Sequence, residues 1–252
     1  TDSIFEKTTY KNYELILVSN NSIEEETHAL VEKLGKDKRV KAFVWNHPFN
    51  YSKVNNFGVS KSDGEYVVLL NNDTEVITPE WLEELVGVAM QPGVGAVGPM
   101  LLYPDNKNGI QHAGVILGMK GMAGHVFRHR KPSEWTDFGL PSWPRNYLAV
   151  TAACLIVSRA KYDEVGGLDE KFIVAGNDVA FCLRLHEAGY RNIYWPLTML
   201  YHHESVSVKS YSGHQSDYDH SLSYYKKYHQ SGDPYFNKNL DLMNEQVGVG
   251  VN

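Results

Sequence analysis

Two carboxylates stand where a chain can pin a side chain to an apolar element and still offer it to a ligand. Asp73 closes the run Tyr66-Val67-Val68-Leu69-Leu70-Asn71-Asn72-Asp73-Thr74-Glu75. A continuous β-branched and leucine run predicts a buried strand, and in open α/β sheets ligands bind just beyond the carboxyl ends of such strands. Asp178 follows Gly176-Asn177 and precedes Val179, Cys182, Leu183 and Leu185, an apolar stripe at helical spacing that runs until Gly189. Asn177 is the expected N-cap, which puts Asp178 in the first turn. A carboxylate there either complements the helix dipole, at about 0.3–1 kcal/mol, or takes a proton from a reacting hydroxyl. Asp73 likewise either caps its loop or offers a hard oxygen to a divalent cation.

The elements around them alternate. A helix is expected to end near Asp2-Ser3-Ile4-Phe5, followed by a strand at 13–18, a helix at 23–34 opened by Glu24-Glu25-Glu26, a strand at 41–45 and a helix at 52–60. After the strand that ends at Leu70, Pro79 starts a helix over 80–90 that Pro92-Gly93 closes, and strands are expected at 94–100, 111–117 and 150–158. This is a nucleotide-binding α/β half followed by further strands. Residues 118–147 show little periodicity, many glycines and prolines, two tryptophans and the basic run His125, Arg128, His129, Arg130, Lys131. A loop of that length is functional or disordered. Beyond His203 one helix is expected near 216–228.

At 252 residues with 42% hydrophobic content, one α/β domain with a C-terminal extension is the default. Its 24 basic against 30 acidic side chains argue against nucleic acid as a partner, which would need a basic face. Cys154 and Cys182 form no close-spaced metal pair and sit in apolar runs, so buried free thiols in a reducing cytosol are expected. No apolar stretch nears the ~20 residues of a membrane span, which leaves peripheral membrane attachment through flanking sequence.

Six segments in order, Tyr13 to Ser22, Phe49 to Asn56, Asp63 to Asp73, Val165-Gly166-Gly167-Leu168-Asp169-Glu170, Asn177-Asp178 and Tyr201-His202-His203-Glu204-Ser205, resemble a bacterial family 2 glycosyltransferase of the GT-A fold, of the rhamnosyltransferase and O-antigen type. The resemblance covers roughly residues 3 to 205 and implies a mixed, mostly parallel sheet flanked by helices, with a glycosyltransferase domain over 1–205 and an extension over 206–252. It also implies a strand and nucleotide-contacting loop ahead of the first helix, so the sheet is expected to lack that strand here.

The same resemblance implies an activity: metal-dependent, inverting transfer of a hexose or deoxyhexose from a nucleotide-diphosphate donor to a surface glycan or lipid-linked glycan. Manganese or magnesium would neutralise the leaving diphosphate. Asp73 becomes the metal ligand, with Asn71 and Asn72 standing where another acid is common. His202 or His203 becomes its partner. Neighbours on a strand face opposite ways, so one of the two serves, and the spacing to Ser207 favours His202. Asp178 takes the place of the family's base. Asn20, Asn21, Asn55, Asn56 and Asn72 fall at donor-binding positions, although asparagines also serve simply as turn residues. The Asn replacements and the missing strand keep a second reading open, a non-catalytic nucleotide- or glycan-binding module. A nucleotidyltransferase is disfavoured, since no Gly-rich phosphate loop follows a strand.

Overall fold

The computed structural model describes residues 1–104, 109–203 and 215–249. The alternation is realised as helix α1 (Asp2–Lys7), strand β1 (Leu15–Asn20), α2 (Glu25–Leu34), β2 (Val40–Trp45), α3 (Tyr51–Ser60), β3 (Tyr66–Leu70), β4 (Thr74–Val76), α4 (Trp81–Ala89) and β5 (Val94–Leu102). Then come β6 (Ile110–His112), β7 (Val115–Leu117), β8 (Ala123–His125), β9 (Arg145–Tyr147), β10 (Cys154–Ser158), α5 (Arg159–Glu164), α6 (Asn177–Glu187), β11 (Arg191–His202) and α7 (Gln215–Ser231). The helix α3 starts where its cap dictates: the Asn50 side chain accepts the Lys53 N–H at 2.8 Å.

The central sheet has seven strands, with β3-β10-β5-β11-β4 as its path, β6 beside β5 and β9 beside β11. It is mixed. β3, β5 and β11 run one way; β10 is inserted antiparallel between β3 and β5, and β4, β6 and β9 also oppose their neighbours. β1 and β2 form a separate parallel pair. Among the described strands β1 bonds only β2, and β3 bonds only β10. The two strand starts are tied instead by Glu14, whose carboxylate accepts the N–H groups of Asp63 and Gly64.

Two expectations change. The run 111–117 is two strands, because Gly114 turns the chain at φ +110°, and a Cβ there would lie 2.2 Å from the Tyr147 ring. The 118–147 segment is packed structure: it contributes β8 and β9, and Val126 and Phe127 are fully buried. The C-terminal region also belongs to the main core, where Tyr225, Tyr228, Phe236, Leu240 and Val247 join Ile116, Phe127 and Leu148. Both cysteines are buried and free, and burial pushes their thiols up. Among the described residues no helix is long and apolar enough to cross a membrane.

Candidate functional site

A cleft of about 640 Å³ opens where the ends of β3 and β11, the start of α6, the turn before β10 and the first turns of α7 meet. It holds Asn71, Asp178 and His202 together with Gln215 and Tyr225. That volume suits a small-molecule site.

His202 is the last residue of β11 and pairs with Thr74 of β4, which brings it to Asp73. Its Nδ1 lies 2.8 Å from the Gln111 side-chain oxygen, which accepts, so Nδ1 carries a hydrogen and the neutral ring would leave Nε2 its lone pair. That Nε2 is 3.1 Å from Asp73 Oδ1, a buried oxygen with no hydrogen bond. In that neutral form two lone-pair atoms converge side by side. Adjacent ligands on an octahedral shell of 2.0–2.1 Å bonds are separated by roughly 3 Å, so the pair fits a small divalent cation. Gln111 is the outer partner that orients the ring. Among the described residues no third His, Cys, Asp or Glu joins the pair. Remaining positions would fall to water and substrate phosphate, as is common for magnesium.

The strand alternation separates the two histidines. His203 points to the half-exposed Glu75, 3.8 Å away, while its backbone N–H donates to the Asp73 carbonyl. Glu204, Ser205 and Ser207 lie outside the described residues.

Asp178 lies in the first turn of α6, but the cap differs from expectation: Gly176, at φ +84°, precedes the helix, and Asn177 is buried with its amide donated to the Val174 carbonyl. A Cβ at Gly176 would sit 2.6 Å from Ser221 Oγ, so glycine is needed where α7 crosses. Asp178 Oδ2 accepts the Ala152 N–H at 3.1 Å and Oδ1 accepts the Val179 N–H at 2.8 Å. Both bonds fix the carboxylate at the cleft wall and leave each oxygen a lone pair. Asp169, the other acid nearby in sequence, is spent on protein contacts with His220 at 2.7 Å, Tyr224 at 2.8 Å and the Lys171 N–H at 3.0 Å.

The expected donor-binding asparagines lie away from this cleft. Asn56 holds the Leu168 turn through both ends of its amide and also accepts from Tyr162, while Asn55 donates back to the Tyr51 carbonyl of its own helix. Asn72 is exposed in the turn before Asp73. Asn20 and Asn21, the latter in the left-handed region at φ +50°, both donate to the His47 carbonyl. They thereby brace the turn that borders a second cavity of about 530 Å³ lined by Trp45, Phe49, Lys53 and Glu170. Trp45 Nε1 is buried without a partner.

Sequence reasoning missed Gln111 and Asp217, and read Asn71 only as standing where another acid is common. Asn71 accepts the Tyr51 hydroxyl at 3.2 Å and reaches His202 Nε2 at 3.4 Å. Asp217, buried at the start of α7, accepts three successive N–H groups, from Ile173 and Val174 at 2.8 Å and Ala175 at 3.1 Å, which fixes the loop leading to Asp178. Its only advance signal was an acid in the first turn of an expected helix.

Comparison with known proteins places this geometry. The family described as "Glycosyl transferase family 2" matches residues 1–166. The O-antigen biosynthesis protein RfbC of Myxococcus xanthus is 44% identical over 250 residues, 98% of this chain but 19% of that protein. An N-acetylglucosaminyl-diphospho-decaprenol L-rhamnosyltransferase of Mycobacterium tuberculosis is 27% identical over 57% of this chain and 48% of its own length. The chain thus spans half or less of these relatives. In three dimensions it is similar to GalNAc-T7, solved with UDP, GalNAc and Mn2+, at a TM-score of 0.65 and 17% identity over 79% of this chain and 39% of that one. That likeness shows the fold, and the family profile shows the lineage: the chain belongs to glycosyltransferase family 2 and has the GT-A fold.

Proposed function

We propose that the protein transfers a sugar from a nucleotide-diphosphate donor to a hydroxyl of a surface glycan or its lipid-linked precursor, with inversion and with help from a divalent cation. The observation that carries this reading is the convergence of Asp73 Oδ1 and His202 Nε2, 3.1 Å apart, beside the cleft that His202 and Asp178 both line. Asp73 and His202 would hold the cation, which when bound supplies Lewis-acid neutralisation of the leaving diphosphate. The Mn2+ of the structurally similar GalNAc-T7 supports this assignment. The names of the two relatives support a glycan acceptor and make a deoxyhexose a reasonable donor sugar.

Asp178 takes the proton of the acceptor hydroxyl as that oxygen forms its bond to the anomeric carbon. The bond from that carbon to the phosphate oxygen breaks on the opposite side, and its electron pair leaves with the diphosphate. One carboxylate suffices for this step, so Asn177 is free to brace the loop. Asn20 and Asn21 contribute by holding the His47 turn beside the second cavity, a place for the nucleoside.

The test is calorimetry with UDP, GDP and dTDP in the presence and absence of manganese, followed by a transfer assay with the nucleotide sugar of whichever binds. Manganese-dependent binding that disappears in His202→Ala supports the reading. Glycan binding without any nucleotide binding would refute it and favour a lectin-like module.

A further inference from the structure

One wall of the cleft has no part in the chemistry above. It is built by α7, from which Tyr218, Ser221 and Tyr225 line the cavity together with Val174, Ala175 and Gly176 of the loop before α6. Positions 218, 221 and 225 follow the three- and four-residue steps of one helix face, so the three side chains form a single stripe. Exposure changes along it: Tyr225 is 2% and Ser221 4% exposed, whereas Tyr218 is 48% exposed. The stripe therefore runs from the buried floor of the cleft to its rim, and Tyr218 stands at the rim.

The helix is held against the base by two independent contacts. It crosses Gly176 so closely that a Cβ there would meet Ser221 Oγ, and Gly176 is two residues before Asp178. One turn back along α7, Asp217 accepts the N–H groups of Ile173, Val174 and Ala175. Tyr218 follows Asp217 directly, so its backbone is tied to the loop that leads to Asp178. The same three bonds occupy the N–H groups of that loop, and the Val174 carbonyl takes the Asn177 amide. What remains between the rim and Asp178 is a surface of small side chains with little hydrogen-bonding capacity of its own.

A rim aromatic beside an apolar surface suits a ring that has an apolar face and a polar edge. A pyranose is such a ring: its C–H bonds carry partial positive charge, which the negative face of an aromatic ring attracts, while its hydroxyls project from the edge. Two sugars meet in the transfer. The donor sugar is placed by its diphosphate on the Asp73 and His202 side, whereas the acceptor has to bring a hydroxyl from solvent to Asp178, on the side opposite the leaving phosphate. The α7 wall adjoins Asp178 through the Gly176 crossing and reaches solvent at Tyr218, which matches the acceptor.

We propose that Tyr218 is an acceptor-binding residue: the face of its ring stacks on the C–H face of the acceptor's terminal pyranose, which turns a hydroxyl of that sugar toward Asp178. The inference rests on the glycosyltransferase reading above and deepens it, because it assigns the α7 wall to the acceptor and the Asp73 wall to the donor. The substrate class it selects is a glycan that ends in a pyranose with an open C–H face. An acceptor that offered only a phosphate or a lipid hydroxyl would gain nothing from this ring.

The test is a binding measurement with three simple probes, methyl α-L-rhamnoside, methyl α-D-mannoside and methyl N-acetyl-β-D-glucosaminide. Each is titrated by saturation-transfer NMR into protein loaded with Mn2+ and with UDP, GDP or dTDP, whichever binds. At least one glycoside should bind the parent, with the strongest saturation on its ring C–H protons. Tyr218→Ala should weaken that Kd about 3- to 10-fold, the loss of one stacked ring, while affinity for the nucleoside diphosphate stays within about twofold. Tyr218→Phe keeps the ring and should stay within about twofold of the parent, and it decides the matter if the alanine variant fails to fold. A glycoside Kd unchanged in Tyr218→Ala, a loss in Tyr218→Phe as large as in Tyr218→Ala, equal losses for glycoside and nucleoside diphosphate, or a loaded parent that binds none of the three glycosides overturns the acceptor contact alone. A parent protein that binds no nucleoside diphosphate overturns the underlying enzyme reading, and this inference with it.

Discussion

Removing the Asp217 carboxylate should loosen the protein at the loop that leads to Asp178. The side chain is 3% exposed and accepts N–H groups from three consecutive residues, Ile173, Val174 and Ala175. A hydrogen bond to a charged group contributes about 1.5–3 kcal/mol, and a buried donor left without a partner costs about 1–3 kcal/mol. The three bonds share one acceptor and one loop, so they do not add, and water from the adjoining cleft can reach part of the vacated space. Asp217→Ala is therefore expected to cost about 3–5 kcal/mol, against a total stability of roughly 5–15 kcal/mol for a domain. Asp217→Asn keeps one carbonyl acceptor and should cost about 1–3 kcal/mol. Urea unfolding of both variants measures these losses. A loss below about 1 kcal/mol in Asp217→Ala would show that the loop holds itself and that α7 merely lies against it.

Other outcomes follow from the same geometry. Asp178→Asn preserves size and can still accept one of the two backbone bonds, so folding and nucleotide binding should persist while transfer slows about 10²–10⁴-fold; near-parental transfer rates would remove Asp178 from the role of base. His202→Ala should abolish manganese-supported nucleoside diphosphate binding and His203→Ala should leave it within about twofold, because only His202 faces Asp73; equal losses in calorimetry would contradict the strand geometry. Asp169 titrates at about 2, since bonds from His220, Lys171 and Tyr224 outweigh the upward effect of burial. Its folded-state value lies below the unfolded 3.8, so it contributes stability above pH 4, roughly 2 kcal/mol, and loses it as pH falls from about 4 to 2. Urea midpoints of the parent and Asp169→Asn should accordingly differ most at pH 7, with the difference shrinking steadily below pH 4 and mostly gone near pH 2; a constant difference would refute the linkage.

The features legible in the sequence are those that repeat along it. The β3 run, the α3 start at Asn50, the α6 stripe and the positions of Asp73, Asp178 and His202 follow from periodicity, cap chemistry and ordered resemblance. The asparagines were harder to read, because an amide that binds a nucleotide and one that ties a turn look identical until its partners are known. Asn56 spends both ends on Leu168 and Tyr162, a contact across more than a hundred residues. The break between β6 and β7 was hidden for a similar reason: Gly114 is required by the Tyr147 ring, far away in the chain.

What no side-chain pattern could reveal is that the site is organised by backbone. The segment from Thr151 to Ala153 has small side chains and reads as the start of a strand, yet regular strand begins only at Cys154. Its peptide groups are otherwise engaged. Thr151 N–H orients His112, Ala152 N–H holds Asp178, the Ala152 carbonyl takes the Tyr51 hydroxyl, and the Ala153 carbonyl takes the Asn71 N–H. Three residues thus tie Asp178, Asn71 and His112 to one peptide run, which continues as β10 between β3 and β5. Small side chains are what allow four elements to approach it so closely. Because the antiparallel insertion of β10 between two parallel strands brings this run to the carboxyl end of β3, the sheet topology and the chemistry of the cleft are set by the same crossing.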